Sequence, residues 1–77
     1  MKKYYSLVIS VLDEYGNRVD AHEITGSNNK KDILKERTQL KKEIKNGKYD
    51  HLNGESCTLL ADIEVHNDDT WELLEII

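Results

Sequence analysis

The residues best suited to metal binding or proton transfer in this 77-residue chain are three histidines and one cysteine: His22, His51, His66 and Cys57. The histidines stand 29 and 15 residues apart, whereas zinc sites usually draw ligands in pairs about two to five residues apart. This spacing predicts solvated histidines on strands and loops, and we expect neither a metal site nor another cofactor. Cys57 has no basic neighbour in the sequence that would activate its thiol, so it is interpreted as a small buried apolar residue.

Tyr49, Asp50 and His51 form the one local grouping of acid and base types. Side chains adjacent in sequence seldom point at one another, and no nucleophile or cofactor loop accompanies these three. A loop in which Tyr49 or Leu52 closes the edge of the core is the favoured interpretation. Phosphate-binding glycine loops, dinucleotide fingerprints and nucleophile elbows do not occur in the sequence. We therefore expect a protein that is not an enzyme.

The charge of this acidic chain is divided unevenly along its length. Residues 1–29 carry three basic and four acidic groups, a net charge of −1, and residues 30–50 carry eight and four, a net charge of +4. Residues 51–77 contain no Lys or Arg and have a net charge of −7, from Glu55, Asp62, Glu64, Asp68, Asp69, Glu72 and Glu75. Such an asymmetry within one small chain is informative about partners.

The basic segment raises the possibility of nucleic-acid binding. Over residues 30–45, where a helix is predicted, its cations are Lys30, Lys31, Lys35, Arg37, Lys41, Lys42 and Lys45. The same segment contains Asp32, Glu36 and Glu43, it lacks interleaved aromatic residues, and the whole chain has a pI near 5.3. A solvated helix face is therefore favoured, and a nucleic-acid binder that uses this helix is kept as an alternative.

The elements that must position these residues belong to one small domain, predicted to span residues 1–77. Alternation over residues 4–12 predicts a strand whose core face carries Tyr5, Leu7, Ile9 and Val11. Gly16-Asn17 predicts a hairpin to a second strand over residues 18–25. The loop can hold two residues, or three with a bulge, and this choice decides whether Ile24 or Ala21 faces the core.

A helix is predicted over residues 30–45, with Asn29 as its N-cap and Asn46-Gly47 at its end. Ile33, Leu40 and Ile44 form its apolar stripe. The following segment, 46–56, is predicted to be a long polar loop with a second turn at Asn53-Gly54.

Two further strands are predicted over residues 57–66 and 70–77, with Leu59, Ala61, Ile63 and Val65 on the core face. A two-residue turn at Asp68-Asp69 would set Ile63 opposite Leu74, Glu64 beside Leu73 and His66 beside Trp71. The predicted fold class is α+β, with the order ββαββ and one helix packed on one face of a four-stranded antiparallel sheet. The order of the strands across the sheet is left open.

The helix-free face of the last hairpin combines acidic and apolar residues. The candidate protein-binding residues are Asp62, Glu64, Asp68, Asp69, Trp71, Glu72, Leu73 and Glu75. They can form a half-solvated sheet face whose acids serve solubility. Alternatively, Trp71 within a negative rim is typical of an interface steered toward a basic partner. Tyr4, Val8 and Leu12 can extend the apolar part of this face.

These features favour a small non-catalytic protein-binding module. We expect an inhibitor or accessory protein, of the type encoded by phages and mobile elements, whose acidic C-terminal hairpin engages a basic protein such as a nucleic-acid-binding one. The alternative from a different class is a structural homodimer or subunit that buries the helix-free sheet face. No apolar run long enough to span a bilayer occurs, and the lone cysteine fits a reducing compartment, so a cytoplasmic location is expected.

Overall fold

The computed structural model describes residues 2–52 and 57–77. Its elements are β1 (Lys3–Leu12), β2 (Arg18–Ser27), α1 (Lys30–Lys45), a short 3₁₀ helix (Asp50–Leu52), β3 (Thr58–Asn67) and β4 (Leu73–Ile76). The strands form one antiparallel sheet in the order β2-β1-β3-β4, which confirms the α+β class and the order ββαββ. No helix among the described residues is long and apolar enough to cross a membrane.

The core lies between α1 and the two central strands, β1 and β3. Leu7 pairs with Ile63, and Ile9 pairs with Ala61, so the predicted core faces of both strands coincide. Ile33 and Leu40 of α1 cover them and are 2% and 1% exposed. The alternation of the two strands and the stripe of α1 are thus confirmed as the core, which is completed by Val65.

The first hairpin uses the three-residue loop with a bulge. The Asp13 N–H donates to the Asn17 carbonyl at 2.9 Å, and the Gly16 N–H donates to the Asp13 carbonyl at 3.1 Å. Gly16 has a φ of 83°, a conformation that glycine adopts without steric cost. The Asp13 carboxylate accepts from the N–H groups of Tyr15 and Asn17, which fixes the loop locally.

Neither residue proposed for the core from β2 lies there. Ala21 pairs with Ser10, on the face that α1 does not cover, and His22 is the residue opposite Ile9. The pairing shifts between Leu7 and Val8, which leaves Ile24 as the extra residue of a bulge, 40% exposed. A second shift, between Val11 and Leu12, moves Ala21 from Ile9 to Ser10. The prediction was wrong because it assumed a regular ladder beyond the loop, whereas each shift moves the following side chains to the other face.

The helix has the predicted bounds and caps. The Asn29 side chain accepts from the N–H groups of Lys31 and Asp32, at 3.0 and 3.4 Å. At the other end Gly47, with a φ of 88°, donates its N–H to the Ile44 carbonyl at 3.1 Å. Beyond it, Tyr49 and Leu52 pack against the core, as predicted for this loop. The predicted turn at Asn53-Gly54 lies outside the described residues.

The second hairpin differs from its prediction. Ile63 and Ile77 exchange backbone hydrogen bonds of 3.1 and 2.9 Å, so Ile63 lies opposite Ile77 and not Leu74. The Asn67 N–H donates to the Glu72 carbonyl at 2.9 Å, which closes a loop much longer than two residues. Glu64 pairs with Ile76 and not with Leu73, because the loop is longer and because the pairing shifts between Val65 and His66, which leaves Leu74 as an extra residue.

Candidate functional site

Trp71 is the centre of an aromatic cluster on the face of the sheet that α1 leaves open. Its ring stacks on His66 with centroids 4.6 Å apart and planes 8° apart. The two residues are neighbours as predicted, but Trp71 lies in the loop and the strand partner of His66 is Leu73. Tyr4 of β1 contacts the indole from the side, with centroids 5.1 Å apart and planes at 41°. The three rings join β1, β3 and the loop before β4 into one surface.

The backbone of the loop holds Trp71 in this place. The Asn67 side-chain oxygen accepts from the N–H groups of Asp69 and Thr70, at 2.8 and 3.3 Å. The Asn67 carbonyl accepts from the Trp71 N–H at 2.8 Å. Trp71 has a φ of 63°, which is costly for a residue with a Cβ atom and places its ring over His66.

Gly26 of β2 provides the space in which Tyr4 lies. A Cβ atom at this position would lie 1.8 Å from the Tyr4 hydroxyl oxygen, so any larger residue would displace the Tyr4 ring. The pKa of Tyr4 is raised by burial and by the negative charges of Glu23 and Asp68. Tyr4 therefore stays protonated and neutral within a negative surrounding.

Two buried serines of β1 bind carboxylates of the neighbouring strands. The Ser6 hydroxyl donates to Glu23 at 2.5 Å, and the Ser10 hydroxyl donates to Asp62 at 2.6 Å. Ser6 and Ser10 are 2% and 0% exposed. Side chains from β2 and β3 thus cover the middle of β1, which keeps Val8 at 3% exposure although no helix lies on this face.

Glu64 is the centre of a charged network on the same face. Its carboxylate binds the Arg18 guanidinium, and its other oxygen lies 3.1 Å from His66 Nε2. Burial pushes the pKa of Glu64 upward, but the hydrogen bonds and charges of Arg18 and His66 outweigh burial, so the pKa lies below its ordinary value. Glu64 is therefore held ionised at neutral pH.

This network does not have the geometry of an acyl-transfer triad. His66 Nδ1 lies 3.4 Å from the Trp71 carbonyl oxygen, and Nε2 faces Glu64, so both ring nitrogens already face acceptors. The nearby Ser6 hydroxyl donates to Glu23. Within residues 2–52 and 57–77, no group of three or more His, Cys, Asp or Glu side chains is arranged to hold a metal ion.

The candidate binding residues separate into two groups. Asp62 and Glu64 are half-buried and bind Ser10 and Arg18, so their carboxylates are committed within the fold. The other group is exposed or rims the open surface: Asp68, Asp69, Trp71, Glu72, Leu73 and Glu75. Glu75 pairs with the core residue Val65, so it lies on the helix side of β4 and not on the helix-free face where the sequence placed it.

The open face also contains residues that sequence reasoning did not select. Leu60 and Ile76 are 42% and 46% exposed and lie on this face, through their pairing with Ser10 and Glu64. Together with Trp71 and Leu73, which are 54% and 47% exposed, they form an apolar strip along β3 and β4. The alternation of β3 predicts that Leu60 lies on this face. The position of Ile76 depends on the shifted register of β4, which the sequence does not reveal.

The acids of the last loop are largely free of internal partners. Asp68 lies 3.7 Å from the Lys2 ammonium. Among the described residues, no cationic side chain lies within ion-pair distance of Asp69, Glu72 or Glu75. Comparison with protein-family models, curated proteins and solved structures found no match.

Proposed function

We propose that this protein is a non-catalytic binding module that docks the open face around Trp71 onto a basic protein. The observation that carries the proposal is the position of Trp71, which is 54% exposed although its backbone is held in a costly conformation. A large aromatic side chain fixed in advance loses little entropy on binding, which is the property of an interface anchor.

The surroundings of Trp71 support a partner of positive charge. The apolar strip supplies area that loses water on contact, and Asp69 and Glu72, whose carboxylates have no cationic partner among the described residues, supply a negative rim. Such a rim accelerates encounter with a basic surface and disfavours acidic ones. An inhibitor or accessory protein of phage or mobile-element type that covers a basic, nucleic-acid-binding groove in the cytoplasm fits these properties.

A site-specific crosslink tests this proposal. A photo-reactive amino acid replaces Leu73 on the open face or, as a control, Lys35 on the exposed side of α1, and each protein is irradiated in a lysate of its organism of origin. We expect one basic protein to be captured from position 73 only. The substitution Trp71→Ser should lower the affinity of this chain for the captured protein, once that protein is purified, at least tenfold.

Charge variants complete the design. Asp69→Asn with Glu72→Gln removes two charges from the rim, and Glu14→Gln with Glu36→Gln removes two exposed charges elsewhere. The first pair should weaken binding and reduce its salt dependence, whereas the second should leave both unchanged. Equal capture from positions 73 and 35, or equal binding by both charge variants, would contradict the proposal.

The contiguous apolar strip also favours a second candidate, a homodimer that buries the open face against its copy. Leu60, Leu73 and Ile76 are each more than two-fifths exposed, and such strips are often covered in an assembly. Light scattering after gel filtration at micromolar concentration separates the two candidates. A dimer that Trp71→Ser dissociates would favour self-association over a basic partner.

A further inference from the structure

Strand β3 extends beyond the strand that covers its outer edge. It runs from Thr58 to Asn67, but β4 pairs with it only from Glu64 to His66, followed by the Ile63 and Ile77 pair. Along residues 58–62, the part of the chain that the structure describes places β1 on one side and no strand on the other. Within the described residues, this half of β3 is therefore a sheet edge without a partner strand.

The direction of the backbone groups along this edge follows from the hydrogen bonds of Ile63. Both its N–H and its carbonyl point outward to Ile77. Backbone groups of an antiparallel strand alternate between its two sides. The N–H and carbonyl groups of Leu59 and Ala61 therefore also point outward, while those of Asp62 point toward β1. Two donors and two acceptors thus stand in the spacing that a further strand requires.

A cavity of about 390 Å³ opens beside the same edge. Its lining includes Arg37, Lys41, Ile44, Leu59, Ile77 and one acidic residue, Asp62, whose carboxylate accepts a hydrogen bond from Ser10. Ile44, Leu59 and Ile77 make an apolar floor, and Arg37 and Lys41, one helical turn apart on α1, add two positive charges. Among the described residues neither cation has an acidic partner within ion-pair distance.

We infer that this edge binds an extended acidic segment of another polypeptide as a fifth strand of the sheet. Its backbone pairs with Leu59 and Ala61, and residues two apart in the segment project toward α1. One of them is apolar and enters the cavity, and the next is Asp or Glu and meets Arg37 and Lys41. The motif is therefore an apolar residue and an acidic residue separated by one position.

Charge favours a foreign segment over a second copy of this chain. Two copies joined antiparallel through residues 58–62 would bring both helices to the same side of one continuous sheet. Each copy would then turn its Arg37 and Lys41 toward those of the other, and like charges at such a junction repel. This edge is also separate from the Trp71 surface in position and charge, so either site can exist without the other.

Selection from a random library of nine-residue peptides tests the inference on the intact protein. We expect the recovered peptides to share an apolar and an acidic residue two positions apart. The variant Arg37→Glu with Lys41→Glu should bind them at least tenfold more weakly. The control Lys35→Glu with Lys42→Glu, which reverses two exposed charges of the same helix, should bind within about twofold of the original protein.

Amide hydrogen exchange then locates the bound peptide. The N–H groups of Leu59 and Ala61 should exchange at least tenfold more slowly in the complex, because they become hydrogen-bonded. The inference is overturned if selection returns no shared motif, if both charge variants bind equally, or if exchange at these two amides is unchanged. Self-association that protects the same amides in the free protein would assign the edge to a second copy and overturn it as well.

Discussion

Replacing Glu64 by Gln should reveal how far the open face depends on its charged network. The carboxylate binds Arg18 and His66, and its side chain is 17% exposed. Glutamine keeps the size of the side chain and one acceptor oxygen but removes the negative charge that Arg18 and His66 contact. Arg18, whose side chain is 28% exposed, would lose its ionic partner while still lying over the sheet.

The expected loss follows from the kind of bond removed. Hydrogen bonds to charged groups contribute about 1.5–3 kcal/mol each, and solvent at the Arg18 side chain reduces the ionic part. We expect Glu64→Gln to lower the free energy of unfolding by about 1–2 kcal/mol near pH 7. In a domain of this size this corresponds to a fall in melting temperature of about 5–15 °C.

The pH dependence gives the sharper test. The pKa of Glu64 is lowered in the folded protein, so the unfolded chain takes up this proton first as the pH falls. The stabilisation is therefore complete above the ordinary glutamate pKa, which is 4.5, and is lost as the pH falls through the lower folded value. Glu64→Gln should thus differ from the original protein at neutral pH and approach it in stability as the pH falls well below the ordinary glutamate pKa.

Urea unfolding followed by circular dichroism, at several pH values between these limits, measures the difference. Glu72→Gln is the matched control, because Glu72 is exposed and has no cationic partner among the described residues. A difference that stays constant down to low pH would refute the role assigned to the charge. So would an equal loss in the control.

Three further substitutions test the geometry of the fold. Gly26→Ala should displace the Tyr4 ring and cost about 1–3 kcal/mol, with a changed near-ultraviolet dichroism of the aromatic cluster; an unaltered spectrum would contradict the close approach. Trp71→Gly should be more stable than Trp71→Ala by about 0.5–1 kcal/mol, because relief of the positive φ exceeds the added chain entropy of glycine; a more stable alanine variant would argue against strain. Asn29→Ala should cost about 1 kcal/mol by removing the helix cap, and Asn29→Asp should restore most of it; equal thermal melting of all three proteins would show that the cap does not contribute.

The core was predictable because it depends on local periodicity. Alternation placed Leu7 and Ile63 on one face, and the capping side chain of Asn29 with the positive φ of Gly47 fixed both ends of α1. Such signals act over a few residues and do not require knowledge of the neighbouring strand.

The candidate site was only partly predictable because it depends on register and strand order. The exposed acids and Trp71 follow from composition, but nothing in the pattern marks Ile24 as a bulge or Asn67 as the residue that closes a long loop. The half-burial of Glu64 follows from its contacts with His66 and with Arg18 of β2, and the latter depends on the order of the strands. Sequence alternation cannot separate an acid that rims a surface from one that covers a buried strand.

The central position of β1 has a consequence for the order in which the chain can fold. Its partner β3 is distant in sequence, since Lys3 pairs with Asn67 across 64 residues and Leu12 with Thr58 across 46. Loops of this length close slowly, and they must close before Leu7 and Ile9 meet the apolar residues of β3. During synthesis the first hairpin and α1 therefore emerge from the ribosome without half of their core, and cooperative folding waits for β3.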